Sequence, residues 1–345
     1  MKNIAVLFGG TSTEHSISIK TGNFIYNTLD RSKYNCKPIF LSKSGKWLIS
    51  KSFNPSLPKI ENINGYEAKW EEDFSKSVDF IELNIPTDRM DCEIVFLGLH
   101  GGEGENGTIQ SLLELLGLKY TGSQVLASAI AMNKEKANLL FQASGFEVSP
   151  FQVFSRLDLS DKTPLSTNMK FPVFVKPNEG GSSVGTGIAK NTEELSKRLT
   201  DVFSIEKKAI VQNLIQGIEV SCGVIEFWEK DRWTPIPLHP TEIIPNSEFF
   251  DFESKYTTGK SKEITPARLS EEITQKVRDL ALKAHITLGC RAYSRTDFII
   301  QDNIPYILET NTLPGMTETS LIPQQVKHAG KDMKDILDLI LQNTD

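Results

Sequence analysis

Long apolar runs are missing from this sequence. No stretch of the 345 residues approaches the roughly 18 apolar positions a membrane-spanning helix needs, so no membrane is expected among its partners. Basic clusters are missing as well: 38 Lys and Arg stand against 44 Asp and Glu, for a net charge of −6. That balance argues against a nucleic-acid groove. Cysteine is scarce, and Cys36, Cys92, Cys222 and Cys290 lie far apart without CxxC spacing. This excludes a disulfide scaffold and leaves reduced, buried thiols, as expected of a cytoplasmic protein. The apolar run in "MKNIAVLFGG" is too short for a secretory leader and reads as a first strand. Internal repeats and low-complexity segments are absent too.

What is present is a globular composition, 39% hydrophobic and 24% charged, in a chain long enough for two or three domains. The first 120 or so residues alternate strand and helix. "IAVLFGG", "YNCKPIFL" and "EIVFLGLH" read as strands, and "TSTEHSISIKTGNFIYNTL" and "TIQSLLELLGL" as helices. A βαβ pattern of this kind predicts a parallel sheet. From about 123 the character changes to a helix, "AMNKEKANLLFQASG", then the strand "FPVFVKP", a glycine-rich loop and the helix "TEELSKRL". A third region follows the strand "AIVQNLI" and holds "VSCGVIEF", a polar aromatic segment at 245–262, and the helix "SEEITQKVRDLALKAHITLG". Boundaries are expected near 122 and 213.

The last two strands, "RTDFIIQDNIPYILETN" (295–311), thread Arg295, Asp297, Glu309 and Asn311 through an apolar hairpin. A turn centred on Asn303 sets Asp297 across from Glu309 and Arg295 across from Asn311. All four then share one face, together with Ile299 and Ile307. Carboxylates opposed at a Cβ separation of about 5 Å repel, so one must protonate or a cation must sit between them. Oxygen-only ligands suit Mg2+ or Mn2+. The bland alternative is an exposed hairpin with scattered charges, and its apolar surroundings count against that.

"VKPNEGGSSVG" (175–185) lacks the GK[ST] of a Walker A loop. Because "IAK" follows as another strand, it reads either as a hairpin folded over phosphates or as a plain flexible turn. Lys176, Ser182 and Ser183 are its phosphate-binding candidates. "GEGENG" (102–107) satisfies a dinucleotide-binding pattern, but Glu103 and Glu105 would repel a pyrophosphate and no ribose-binding acid follows.

Together these motifs resemble the ATP-grasp superfamily and, within it, the D-alanine–D-alanine ligases. The resemblance covers nearly the whole chain through "LFGGTSTEHSIS" (7–18), "LHGGEGENGTIQSLLELLGLKYTGS" (99–123), "MNK" (132–134), "VKPNEGGSSVG", "FFDFESKY" (249–256), "RTD" (295–297) and "ETNTLPGMTETSLIP" (309–323). It implies an α/β fold, α+β in the ATP-binding part, with three domains. Residues 1–122 form an N-terminal Rossmann-like substrate domain with a parallel sheet, and 123–212 a central ATP-grasp subdomain with the glycine-rich loop. Residues 213–345 form a C-terminal subdomain with a lid and the Mg site.

The implied reaction joins two D-alanines at the expense of ATP through a D-alanyl phosphate, for peptidoglycan precursor synthesis. A D-alanine–D-lactate ligase or another ATP-grasp carboxylate–amine ligase is the alternative. By the same resemblance Asp297, Glu309 and Asn311 hold two Mg2+ or Mn2+ ions, and Arg295 and the Gly315 N–H stabilise transferred charge. Lys134, Lys176 and Ser183 contact phosphates, Gln212, Asn213 and Ile215 meet adenine, and Glu219 meets ribose. Glu14, Ser182 and Tyr256 bind the first D-alanine, Lys255 and Ser320 the second, and His100 lies close to both. A homodimer is implied as well. Two places depart from the family pattern. Gly180 stands where an acid is common, and Gln212-Asn213 stand where Glu-Lys occurs. Lys255-Tyr256 favours D-alanine over D-lactate.

Overall fold

The computed structural model describes the chain except for residues 61–66, 89, 160–166, 181–184, 246–260 and 345. Its first sheet has the order β4-β3-β2-β1-β5-β6. Strands β1 (Lys2–Gly9), β2 (Tyr34–Leu41), β5 (Ile94–Leu97) and β6 (Lys119–Tyr120) pair in parallel, as the βαβ pattern predicts. Ile4, Ala5, Val6, Leu7 and Phe8 have no exposed surface, which explains why β1 reads as a continuous apolar run. Two antiparallel strands, β3 (Trp47–Ser50) and β4 (Phe80–Leu83), extend the sheet beyond that expectation. The turn from Ser42 to Lys46, closed by Lys46 O accepting from Ser42 N at 2.8 Å, is too short for a parallel crossover.

Helix α1 (His15–Thr28) starts later than "TSTEHS" suggests, and Glu14 stands at its N-cap position without capping it. Helices α2 (Glu67–Ser77), α3 (Gly102–Glu105) and α4 (Thr108–Leu115) complete this region. The single helix expected over 131–145 is two helices, α5 (Val125–Met132) and α6 (Lys134–Ala143). Asn133 ends one and caps the other, its side chain accepting from Lys136 N. Both contribute to a core with Val220, Phe298 and Ile307 of the third sheet. Segment 123–212 therefore divides between two cores.

The second sheet, ordered β7-β10-β8-β9, consists of β7 (Phe151–Ser155), β8 (Val173–Pro177), β9 (Gly187–Ala189) and β10 (Lys208–Asn213). One face, with Val173, Val175, Ala209 and Val211, packs on α7 (Thr192–Phe203). Alternation puts Phe174, Lys176, Ile210 and Gln212 on the other.

The third sheet is ordered β14-β13-β11-β15-β16, with β12 (Arg232–Pro237) paired to β11. Its strands are β11 (Ile218–Glu229), β13 (Thr241–Pro245), β14 (Ser261–Ile264), β15 (Tyr293–Gln301) and β16 (Ile304–Asn311). Helix α8 (Glu271–Leu288) covers its apolar face. Helix α9 (Leu321–His328), followed by α10 (Met333–Gln342), packs on the opposite face of β11. There Gln325, fully buried, donates to Ser221 O at 2.8 Å and accepts from Gly223 N at 2.9 Å. Among the described residues no helix is long and apolar enough to cross a membrane.

The hairpin register departs from expectation in one detail. Gln301 pairs with Ile304, so the turn is Asp302-Asn303, both at positive φ as a two-residue hairpin turn requires. A register shift between Asp297 and Phe298 absorbs Leu308 as an extra residue. Beyond it Asp297 faces Glu309 and Arg295 faces Asn311, as the polar pattern predicts. Ile307 is the correction. It pairs with Phe298, is 1% exposed and belongs to the core face rather than the ligand face.

Gly223 is where α9 meets this sheet, since a Cβ there would lie 2.4 Å from Ile322 Cδ1 and 2.7 Å from Gln325 Oε1. Gly223→Ala should cost about 1–3 kcal/mol through overpacking, read as a lowered urea midpoint. An unchanged midpoint would show that α9 is not seated there.

Candidate active site

Asp297 is 7% exposed and is held from three sides. Arg295 donates to it through Nε at 3.0 Å and a terminal nitrogen at 2.8 Å, Asn311 Nδ2 at 3.2 Å and Ser221 Oγ at 2.5 Å. Directly opposed residues of antiparallel strands share a face, so Glu219, Ser221 and Thr241 lie on the face of Asp297. The expected ribose ligand and the expected metal ligands thus occupy one surface. Glu309 is half-buried, with Lys134 Nζ 3.9 Å from its Oε2. Among the described residues no three His, Cys, Asp or Glu side chains form a metal cluster. The donor set is two carboxylates and an amide, whose hard oxygens fit Mg2+ or Mn2+.

Lys134 joins this face to the glycine-rich loop. Its Nζ donates to Gly180 O at 2.6 Å and its backbone N to Asn178 O at 2.9 Å. Asn133 Nδ2 donates to Glu179 Oε1 at 2.6 Å, and Glu206 accepts from Glu179 N and Gly180 N at 2.8 and 3.1 Å. The glycine at 180 has a steric reason, because a Cβ there would sit 2.8 Å from Pro177 Cβ. Lys176 and Gln212, both buried, lie on the sheet face away from α7. Asn213 points to the other face by alternation, and its buried Oδ1 has no hydrogen-bond partner among the described residues. Ile215 is half-buried just beyond β10. Ser182, Ser183, Lys255 and Tyr256 lie outside the described residues.

The N-terminal region reaches the same place through Glu14, His100 and Glu105. Glu14 is 7% exposed, and a Cβ on Gly101 would lie 2.4 Å from its Oε2. His100 Nδ1 lies 3.0 Å from Leu313 O and must donate to it, which leaves Nε2 to accept from the Thr21 hydroxyl at 2.7 Å. This tautomer, assigned from the hydrogen-bond network, is neutral, and burial lowers the pKa of the ring. Glu105 accepts from Gly101 N at 2.8 Å and from Leu313 N at 3.3 Å. Two side chains of one loop therefore grip both polar groups of a single residue on the strap after β16. Glu103 accepts from Thr11 N and Oγ1, both at 2.8 Å, and orders the β1–α1 loop.

Both acids of "GEGENG" thus organise the site. Sequence reasoning used them only to exclude a dinucleotide and missed this role, although two acids in a glycine-rich loop were the available signal. The strap passes through Gly315, where a Cβ would lie 2.8 Å from Ser320 Oγ. Ser320 Oγ in turn accepts from Thr317 N at 3.1 Å.

These contacts bring an acid-lined, cation-balanced face, a lysine-anchored glycine loop and a gripped backbone strap together around the end of β16, which is the equipment of phosphoryl and acyl transfer. Two family models match the chain: "D-ala D-ala ligase N-terminus" over residues 3–123 and "D-ala D-ala ligase C-terminus" over residues 140–342. The chain belongs to the D-alanine–D-alanine ligase family. It is 51% identical to a D-alanine–D-alanine ligase of Leptospira interrogans, over 99% of this chain and 97% of that one. Among solved structures it resembles the VanG D-Ala:D-Ser ligase from Enterococcus faecalis, with TM-score 0.83 and 30% identity over 100% and 99% of the two chains. It also resembles the Bacillus anthracis family member complexed with ATP, with TM-score 0.74 and 28% identity over 100% and 97%.

Burial, reinforced by repulsion from Glu14, pushes the Glu105 pKa up to about 8, against about 4.3 in an unfolded chain. Between those values the folded state binds more protons, so stability falls as pH rises through the window. Glu105→Gln loses one acceptor but also this slope. The wild-type urea midpoint should therefore fall relative to the variant's from about pH 5 to about pH 9, and parallel curves would refute the assignment.

Proposed function

We propose that this chain joins two D-alanines into D-alanyl-D-alanine, with ATP converted to ADP and phosphate, for peptidoglycan precursor synthesis in the cytoplasm. The observation that carries this reading is Lys134, which bridges the glycine-rich loop at Gly180 to Glu309 on the acidic face. In this reading the three domains meet at boundaries near 122 and 213.

Glu14 takes the ammonium of the first D-alanine, with Ser182 and Tyr256 completing its network. The carboxylate oxygen of that substrate attacks the γ-phosphorus and the bond to the ADP oxygen breaks, leaving a D-alanyl phosphate. Ser320 and Lys255 hold the carboxylate of the second D-alanine. Its amine attacks the acyl carbon, a C–N bond forms, a proton leaves nitrogen, and the C–O bond to phosphate breaks. Arg295 and the Gly315 N–H face the negative charge on the tetrahedral oxygens, where preorganised donors act most strongly. Lys134 and Lys176 contact the α- and β-phosphates and Ser183 covers the γ-phosphate. Gln212 and Ile215 hold adenine and Glu219 the ribose, while Asn213, expected beside them, turns its side chain to the other face of the sheet. Asp297, Glu309 and Asn311 would hold two Mg2+ or Mn2+ ions, which supply charge neutralisation and alignment of the phosphates. His100, being neutral and tied to Leu313, shapes the pocket beside the substrates. The segment holding Lys255 and Tyr256 serves as a lid that keeps water from the acyl phosphate. A homodimer fits the exposed Leu115 and Leu126, which are 87% and 72% accessible on α4 and α5.

ADP release with Mg2+ and ATP should be stimulated by D-alanine alone. D-lactate and D-serine belong in the same assay, since one structural neighbour is a D-Ala:D-Ser ligase. Stimulation only when one of them is added would replace the second substrate. Glu309→Gln should lower turnover by about 10²-fold or more while the far-ultraviolet spectrum stays unchanged. Turnover close to wild type would refute the metal face.

A further inference from the structure

The acidic face carries one more carboxylate, Glu263, to which the reaction above gives no part. In the third sheet Ile299 faces Glu219, Glu219 faces Ile243, and Ile243 faces Glu263. Facing residues of antiparallel strands share a side, so Glu263 lies on the side of Asp297 and Arg295. It is half-buried on β14, three residues after the segment 246–260. Burial raises its pKa, and the Arg295 charge opposes that rise, so the two groups sense each other.

The contacts of Glu263 lead toward Ser320. Its Oε2 accepts from Gln324 Nε2. The same amide nitrogen donates its other hydrogen to Thr319 O at 2.9 Å. Gln324 lies one helical turn beyond Ser320, and its backbone N donates to Ser320 O at 3.2 Å. Ser320 stands at the N-cap position of α9 but its side chain does not cap the helix. The hydroxyl instead joins Thr317 N at 3.1 Å and Thr317 Oγ1 at 2.7 Å, directed toward Gly315. The turn 317–320 is thus oriented from outside, and Gln324 is the link through which β14 reaches it. An amide with both hydrogens engaged has one orientation; with one acceptor removed it is free to turn.

We infer that Glu263 is a positioning residue for the second substrate, acting as a hydrogen-bond strut through Gln324 on the turn that carries Ser320. The inference rests on the assignment of Ser320 to the second D-alanine's carboxylate. It also gives this acid a part on the face: its Oε2 is engaged by the Gln324 amide. A glutamine at 263 keeps an acceptor for that amide, whereas an alanine does not.

Initial rates against D-alanine, fitted to separate constants for the two sites, test the strut in the full chain. Loss of one net hydrogen bond, about 1 kcal/mol, corresponds to about a fivefold change. Glu263→Ala should raise the second-site KM about fivefold, with the first-site and ATP constants changed by less than about twofold. Glu263→Gln should stay near wild type, and adding Glu263→Ala to Gln324→Ala should bring no further loss. An unchanged second-site KM in Glu263→Ala overturns the inference. So does a uniform rise in all three constants, or a Glu263→Gln variant as impaired as the alanine. Wild type inactive with D-alanine would overturn the reaction and this inference together, whereas an active wild type with an indifferent Glu263→Ala overturns the inference alone.

Discussion

Two carboxylates opposed across an antiparallel strand pair repel each other, and the site is organised around that repulsion. Two carboxylates removed from water side by side need compensating charge, because desolvation costs several kcal/mol per ion. Compensation comes from two directions. Arg295 forks onto Asp297 from two residues away on its own strand. Lys134 approaches Glu309 from the start of α6 while holding the first glycine of the glycine-rich loop. The charge requirement of the hairpin therefore also fixes where the glycine-rich loop begins. The oxygens of the same two carboxylates, with the Asn311 amide, are hard donors that suit a divalent cation.

Holding the acids opposite each other needs a register that the turn alone does not supply. The Asp302-Asn303 turn would pair residues whose numbers sum to 605, and Asp297 with Glu309 sums to 606. Leu308 makes up the difference as a bulge, and Ile307 N donates to Glu147 O at 3.0 Å, outside the ladder. One strand thus carries Glu309 and Asn311 on one side at its far end and core residues such as Ile307 on the other side near its turn. Bulges beside functional sites re-aim side chains in this way.

The polar pattern along the hairpin was legible because alternation is a strict period and four polar residues fell on one side of it. The bulge was not, because Leu308 and Ile307 are both apolar and either could face the core. Lys134 and Glu105 show another limit. A lysine at a helix start and a glutamate in a glycine-rich loop read as solvated or repulsive until a partner distant in sequence is known, and Gly180 and Leu313 are 46 and 208 residues away. The parallel core of the first sheet followed from its βαβ pattern, whereas its antiparallel edge depended on a short turn and a four-residue strand. The helix spanning 131–145 was visible as apolar and helical, but its break at Asn133 rests on a side-chain cap that composition does not announce.

The strap from Asn311 to Ser320 is where these local solutions become one device. Asn311 is fixed by Asp297, and Leu313 is gripped through its carbonyl by His100 and through its N–H by Glu105. Ser320 is set by Thr317, and α9 beyond it is locked to the sheet by Gln325. These anchors come from the N-terminal sheet region, the hairpin and the last helices, so the strap has no independent freedom once the three are packed. Acyl transfer between two bound amino acids depends on orientation, for which a displacement of about 1 Å can cost about 100-fold in rate. A backbone N–H at Gly315 can serve as a fixed donor only if its peptide plane cannot turn, and the grip on Leu313 two residues earlier limits that turn.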